Sequence, residues 1–132
     1  MNELLRELLL ISAAMLADYD LPLPDGVLWH TDPALEGYEM GDAYGRTACT
    51  TQPSGQRICY IILHSCVAQV GPAFAKKVMI HELAHYVDYM QDGKMDGHKG
   101  YWSRVMLRWN QVPSSKARRM RSCIKAMSKA QP

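Results

Sequence analysis

The sequence predicts an α+β domain, and three observations carry that prediction. Apolar residues recur at helical spacing near the N-terminus, three strand-like runs follow between residues 27 and 64, and a long apolar run over residues 78–90 opens a second helical region. Strands grouped in the middle, with helices before and after, argue for a small sheet with helices packed on it. The chain has 132 residues, a length that suits one domain burying about two-thirds of its unfolded surface.

The first helix rests on Leu4, Leu8, Ile11 and Met15, with Asn2 as its cap. Its apolar run has the length of a secretory leader. However, Glu3 and Glu7 flank Arg6 where a basic segment would be needed, and no convincing cleavage site follows, so a core-packing helix is expected. No run is long enough to span a membrane. Pro22, Pro24 and Gly26 mark a rigid turn out of the helix.

Residues 27–31 then read as a first strand and residues 32–42, polar with two glycines, as a loop. Residues 43–51 and 57–64 are rich in β-branched and aromatic side chains, and residues 52–56 form a five-residue hairpin connection between them. The sheet is therefore expected to have three strands and to contain an antiparallel pair. His30 and His64 fall at strand ends and are not expected to bind metal.

Gly71-Pro72 breaks the chain before the long apolar run, where Pro72 suits a first helical turn. That run contains His81-Glu82-Leu83-Ala84-His85. Four residues make just over one turn, so His81 and His85 stack on one face. Two imidazoles so placed can share a tetrahedral zinc at about 2.0–2.1 Å. Glu82 is displaced by roughly 100° around the helix, so it flanks the metal and can take a proton from water. Asp88 and Asp92 return to the histidine face, while Met79, Leu83, Tyr86, Val87 and Met90 point away from it. The expected helix thus buries one face and carries its chemistry on the other.

Gly93 is the expected C-cap. A short polar loop then brings Asp96-Gly97-His98, and doubling back would place His98 beside the pair as third ligand. Asp88 and Asp92 are the alternative ligands; both are better suited to orienting His85 from outside the metal's ligand set. Tyr101, Val105, Leu107 and Trp109 form a further helix, expected to pack on the one bearing the histidines.

Charge is unevenly distributed. Residues 1–97 hold 6 Lys/Arg and 13 Asp/Glu, whereas residues 98–132 hold 9 Lys/Arg and no acid. Over residues 113–132, Ala117, Met120, Ile124 and Met127 form an apolar stripe on a last helix. Lys116, Arg118, Arg119, Arg121, Lys125 and Lys129 occupy the rest, as a solvated face or a patch for nucleic acid. Cys49, Cys59, Cys66 and Cys123 show no zinc-ribbon spacing. Cys49 and Cys59 could meet across the hairpin, but free buried thiols in a reducing cytoplasm are the expected state.

The segment His81-Glu82-Leu83-Ala84-His85, then Gly97-His98 with Tyr101-Trp102 and a helix, resembles the SprT-like zinc metalloprotease family, including its Spartan-type protease domains. Lys99 stands where the family pattern has a glycine, with Gly100 one place later. The resemblance covers roughly residues 2–110 and is specific over residues 78–107. It implies a zincin-like minimal metalloprotease core: an N-terminal helix, a three-stranded sheet, the His-Glu-x-x-His helix and further C-terminal helices. On that reading residues 1–112 are the protease domain and residues 113–132 a basic helix on or extending from it.

The expected activity is zinc-dependent endopeptidase action on a protein or peptide, with Glu82 as general base. The substrate would lie extended against a sheet edge, and Tyr44, Tyr86 and Tyr101 are candidate oxyanion donors. The family's association with DNA implies recruitment through the basic helix. Two other readings share these residues: a nucleic-acid-binding protein with a structural zinc, and metal-dependent hydrolysis of a non-peptide amide.

Overall fold

A computed structural model describes residues 2–30, 45–95 and 100–109. The predicted loop at residues 32–42, Tyr44, His98 and the basic segment 113–132 lie outside the described residues. The fold is mixed α+β, as predicted: an N-terminal helix, a three-stranded sheet and further helices.

Helix α1 (Asn2–Leu16) buries Leu8, Ser12 and Leu16, with Leu4, Leu5, Leu9 and Met15 packed at the margins of the core. Its inward line therefore runs 8–12–16 and not along the predicted Leu4, Leu8, Ile11 and Met15. Hydrophobic counting passes over Ser12, whose hydroxyl donates to the Leu8 carbonyl at 2.6 Å and so needs no water. A 3-10 turn (Ala17–Tyr19) closes the helix, and Asp20 leaves it in the left-handed region at φ 53°.

Strands β1 (Gly26–Trp29), β2 (Gly45–Thr51) and β3 (Arg57–Leu63) form one sheet in the order β1-β3-β2. The central β3 runs parallel to β1 and antiparallel to β2. Its unbroken Ile61-Ile62-Leu63 is buried throughout, as a strand covered on both faces requires. The hairpin connection over residues 52–56 is closed by the Gln52 amide donating to the Gln56 carbonyl at 2.8 Å, and Gly55 takes φ 89° in it.

Register places Cys49 directly opposite Cys59, with Cα atoms 4.1 Å apart, and the two are joined in a disulfide. The expectation of free thiols fails at this pair, and the argument from thiols to a reducing compartment fails with it. No helix among the described residues is long and apolar enough to cross a membrane.

After β3 comes a short helix α2 (Cys66–Val70), which no periodicity in the sequence announces, and then the long helix α3 (Pro72–Asp92). Both predicted ends of α3 hold. Pro72 sits in the first turn after Gly71, and Gly93 caps the end at φ 79° with its amide on the Tyr89 carbonyl at 2.7 Å. Helix α3 packs against α1, α2, β2, β3 and the final described helix α4 (Tyr101–Arg108). Every residue from Val78 to Tyr89 is buried. The prediction of a two-faced helix is thus corrected, because β2 and α4 cover the polar face too.

On α4 the inward residues are Trp102, Val105 and Met106, with Trp109 just beyond the helix. Leu107, predicted inward, is 62 % exposed. The end of α4 closes on the 3-10 turn: Trp109 Nε1 donates to Asp18 Oδ2 at 3.3 Å, and the Arg108 guanidinium lies over the Tyr19 ring.

The hairpin also clamps the C-terminus of α3. Arg57 Nη1 donates to the carbonyls of Tyr89 (3.3 Å) and Met90 (2.5 Å), and Thr51 shares a hydrogen bond with the Tyr89 hydroxyl at 2.6 Å. A cation there satisfies last-turn carbonyls and offsets the negative end of the helix dipole. Arg57→Ala should therefore lower unfolding free energy by about 1–2 kcal/mol. Urea denaturation should show a lower midpoint with an unchanged slope, whereas a wild-type midpoint would mean that water serves those carbonyls equally well.

Candidate metal centre

Helical pitch alone brings His81 and His85 together: they lie one turn apart on α3 with ring centroids separated by 5.1 Å. Both are buried, His81 completely. Trp102 closes the site from α4. Its indole stacks on the His85 ring (5.4 Å, 24° between planes) and meets His81 edge-on (5.0 Å), while its Nε1 donates to the His81 carbonyl at 3.2 Å. Both imidazoles are therefore held against a rigid apolar wall by contacts on their faces.

Strand β2 closes the other side. Thr47 Oγ1 lies 2.9 Å from Glu82 Oε1 and 2.9 Å from the Glu82 carbonyl oxygen. Glu82 Oε2 lies 4.0 Å from His81 Nε2, so the carboxylate flanks the pair as the helical wheel predicts. Gly45 begins the strand against the same side chain: a Cβ there would come within 2.9 Å of Val78 Cγ1, 3.2 Å of Glu82 Cγ and 3.3 Å of Glu82 Oε2.

Two imidazoles one turn apart, with an apolar shell and an adjacent carboxylate, fit zinc in chemistry and spacing. Among the described residues no group of three or more His, Cys, Asp or Glu side chains that could hold a metal is found. Asp88 is fully buried one turn beyond His85. Asp92 is exposed at the helix end, about 10 Å further along the axis than His85. His98, the predicted third ligand, lies outside the described residues. His30 and His64 stack on each other at the ends of β1 and β3, with centroids 5.5 Å apart.

Of the candidate oxyanion donors, Tyr44 also lies outside the described residues. The Tyr86 hydroxyl donates to the Pro22 carbonyl at 2.7 Å, and burial, aided by the Asp25 charge, pushes its pKa up to about 12. That bond fastens α3 to the turn after α1 and takes Tyr86 off the list. Tyr101 is half-buried, with the Arg104 guanidinium 5.4 Å from its ring centroid.

The sequence of the whole segment decides the relationship. Residues 27–123 match the SprT-like family. The chain belongs to that family. Comparison with curated proteins finds no match, and comparison with solved structures finds none. SprT-like proteins are typically metal-dependent, which agrees with the chemistry of the paired histidines. The matched span begins at β1 and takes in the sheet, α2, α3 and α4. Every described group that touches the His81/Glu82/His85 cluster from β2 or α4 is thus part of the SprT-like unit.

Two site residues escape a reading by motif. Trp102 is visible only as the aromatic after Gly-His, and nothing in that spacing says that it covers both imidazoles. Thr47 carries no motif at all. Strand alternation turns Gly45 and Thr47 inward together, but the partner they meet lies 35 residues further along the chain from Thr47.

Proposed function

We propose that this SprT-like protein is a zinc-dependent endopeptidase with a zincin-like core, in which His81, His85 and His98 hold the metal and Glu82 is the general base. The observation that carries this reading is the buried Glu82 carboxylate. It is held by Thr47 on one oxygen, with the other oxygen on the side of His81 Nε2. When bound, zinc polarises the scissile carbonyl and acidifies its water to a pKa of about 7.

The protein's own groups do the rest. Glu82 accepts the proton of the attacking water and returns it to the leaving amine. Trp102 keeps the imidazoles in place and solvent away from their faces. Among the described residues β2 is paired on one side only, and an extended substrate main chain would hydrogen-bond along its other edge. Tyr44 and Tyr101 remain the candidate donors to the oxyanion.

A nucleic-acid-binding protein with a structural zinc is the weaker reading. Such a site takes a fourth protein ligand and gains nothing from burying a carboxylate beside it, which is costly. Hydrolysis of an unfolded protein substrate decides between the two. Activity should disappear with a zinc chelator and return with added zinc; a chain with full zinc and no cleavage of unfolded protein or peptides would overturn the proposal.

Recruitment to DNA is proposed for the segment from Lys116 to Lys129. It follows from the run of nine Lys/Arg and no acid over residues 98–132. Six phosphate contacts would give a slope of about −5 in log K against log salt on duplex DNA. Arg118/Arg119/Arg121→Ala should flatten that slope by about half, measured by titration across a salt series. An unchanged slope would leave the basic residues a role in solubility and packing only.

A further inference from the structure

Glu82 ends in a soft torsion. The bond to a carboxylate has a broad two-fold profile, so packing alone sets its plane poorly. A base that must meet one proton of one water needs that plane fixed, and a hydrogen bond to one oxygen is the direct means. Strand β2 supplies such a bond, from Thr47 to Oε1 at 2.9 Å. The same hydroxyl lies 2.9 Å from the Glu82 carbonyl oxygen. With one proton to give, it can serve only one of these two oxygens at a time. Two residues earlier on the strand, Gly45 leaves open the space that a Cβ would take 3.3 Å from Oε2.

We propose that Thr47 is the positioning residue for Glu82: its hydroxyl fixes Oε1 and thereby presents Oε2 on the side of His81. This rests on Glu82 acting as the base, and adds to that reading the group that orients it. The competing account is that Thr47 only fastens β2 to α3, through the helix carbonyl. The two differ in what the hydroxyl does once shape is preserved.

Thr47→Val keeps the side-chain shape and removes the donor; Thr47→Ser keeps the donor and removes a methyl. With zinc content verified equal to wild type, Thr47→Val should lower kcat about tenfold or more and change KM by less than about twofold. Thr47→Ser should recover most of the lost kcat. A second readout uses the metal-free chain: unfolding of Thr47→Val, Glu82→Ala and the double variant in urea should be non-additive by about fivefold in the equilibrium constant. A wild-type kcat in Thr47→Val, a Thr47→Ser as slow as Thr47→Val, or additive unfolding would each overturn the assignment. Failure of the base reading looks different. It appears as an active Glu82→Gln, whereas failure of this proposal appears as an inactive Glu82→Gln beside a full-speed Thr47→Val.

Discussion

Replacing Glu82 with Gln should leave the protein folded and loaded with zinc while lowering kcat by about two orders of magnitude or more, the scale of general-base catalysis. The structure gives reasons for both halves of that result. Gln has the shape of Glu, its carbonyl oxygen can still accept from Thr47 at the position of Oε1, and the closely packed space beside Gly45 and Val78 is filled as before. What Gln cannot do is accept a proton. The measurement is metal content by elemental analysis alongside cleavage of an unfolded protein. Zinc loss in the variant would make Glu82 a ligand, and wild-type cleavage with zinc in place would falsify the mechanism.

The legible parts of this protein were those fixed by nearby residues. Both ends of α3 could be read from Gly71-Pro72 and Gly93, since φ restriction and left-handed backbone are local properties. The stacking of His81 on His85 follows from pitch alone. Strand positions followed from β-branched runs, and the predicted ends that fall on described residues lie within about two residues of the observed ones, the ordinary uncertainty of element ends. What was not legible depends on partners distant in sequence.

Ser12 takes the centre of the buried line of α1 because its hydroxyl finds the Leu8 carbonyl, and an apolar count gives it no weight. Met106 replaces Leu107 as the inward residue of α4 because Trp102, Val105 and Trp109 set that helix's rotation against α3. The disulfide depends on a register that puts Cys49 and Cys59 opposite each other, which composition and compartment arguments do not see. The second face of α3 looked solvent-facing for a similar reason: no pattern in the helix itself announces that β2 and Trp102 cover it.

His98→Ala should lower zinc affinity by more than the 10–100-fold that loss of a group outside the ligand set costs, and abolish hydrolysis with it. A catalytic zinc takes three protein ligands and keeps one position open, and the described residues supply two imidazoles but no cluster of three. On the proposed mechanism His98 is the third donor. His98 lies two residues before Gly100, which takes φ 60° and ψ −124° immediately ahead of α4. Glycine accepts that conformation at little cost, so the turn into α4 is made at Gly100, one place after the position where the family pattern has its glycine. The same helix then sets Trp102 on the two imidazoles. Asp88→Asn provides the control. If Asp88 orients His85 from outside the ligand set, its loss should cost no more than about 100-fold in affinity, and zinc at saturating concentration should restore activity. Competition with a chromophoric chelator measures both variants. Unchanged affinity in His98→Ala, with zinc lost from Asp88→Asn, would make the aspartate the third ligand and leave His98 a loop residue.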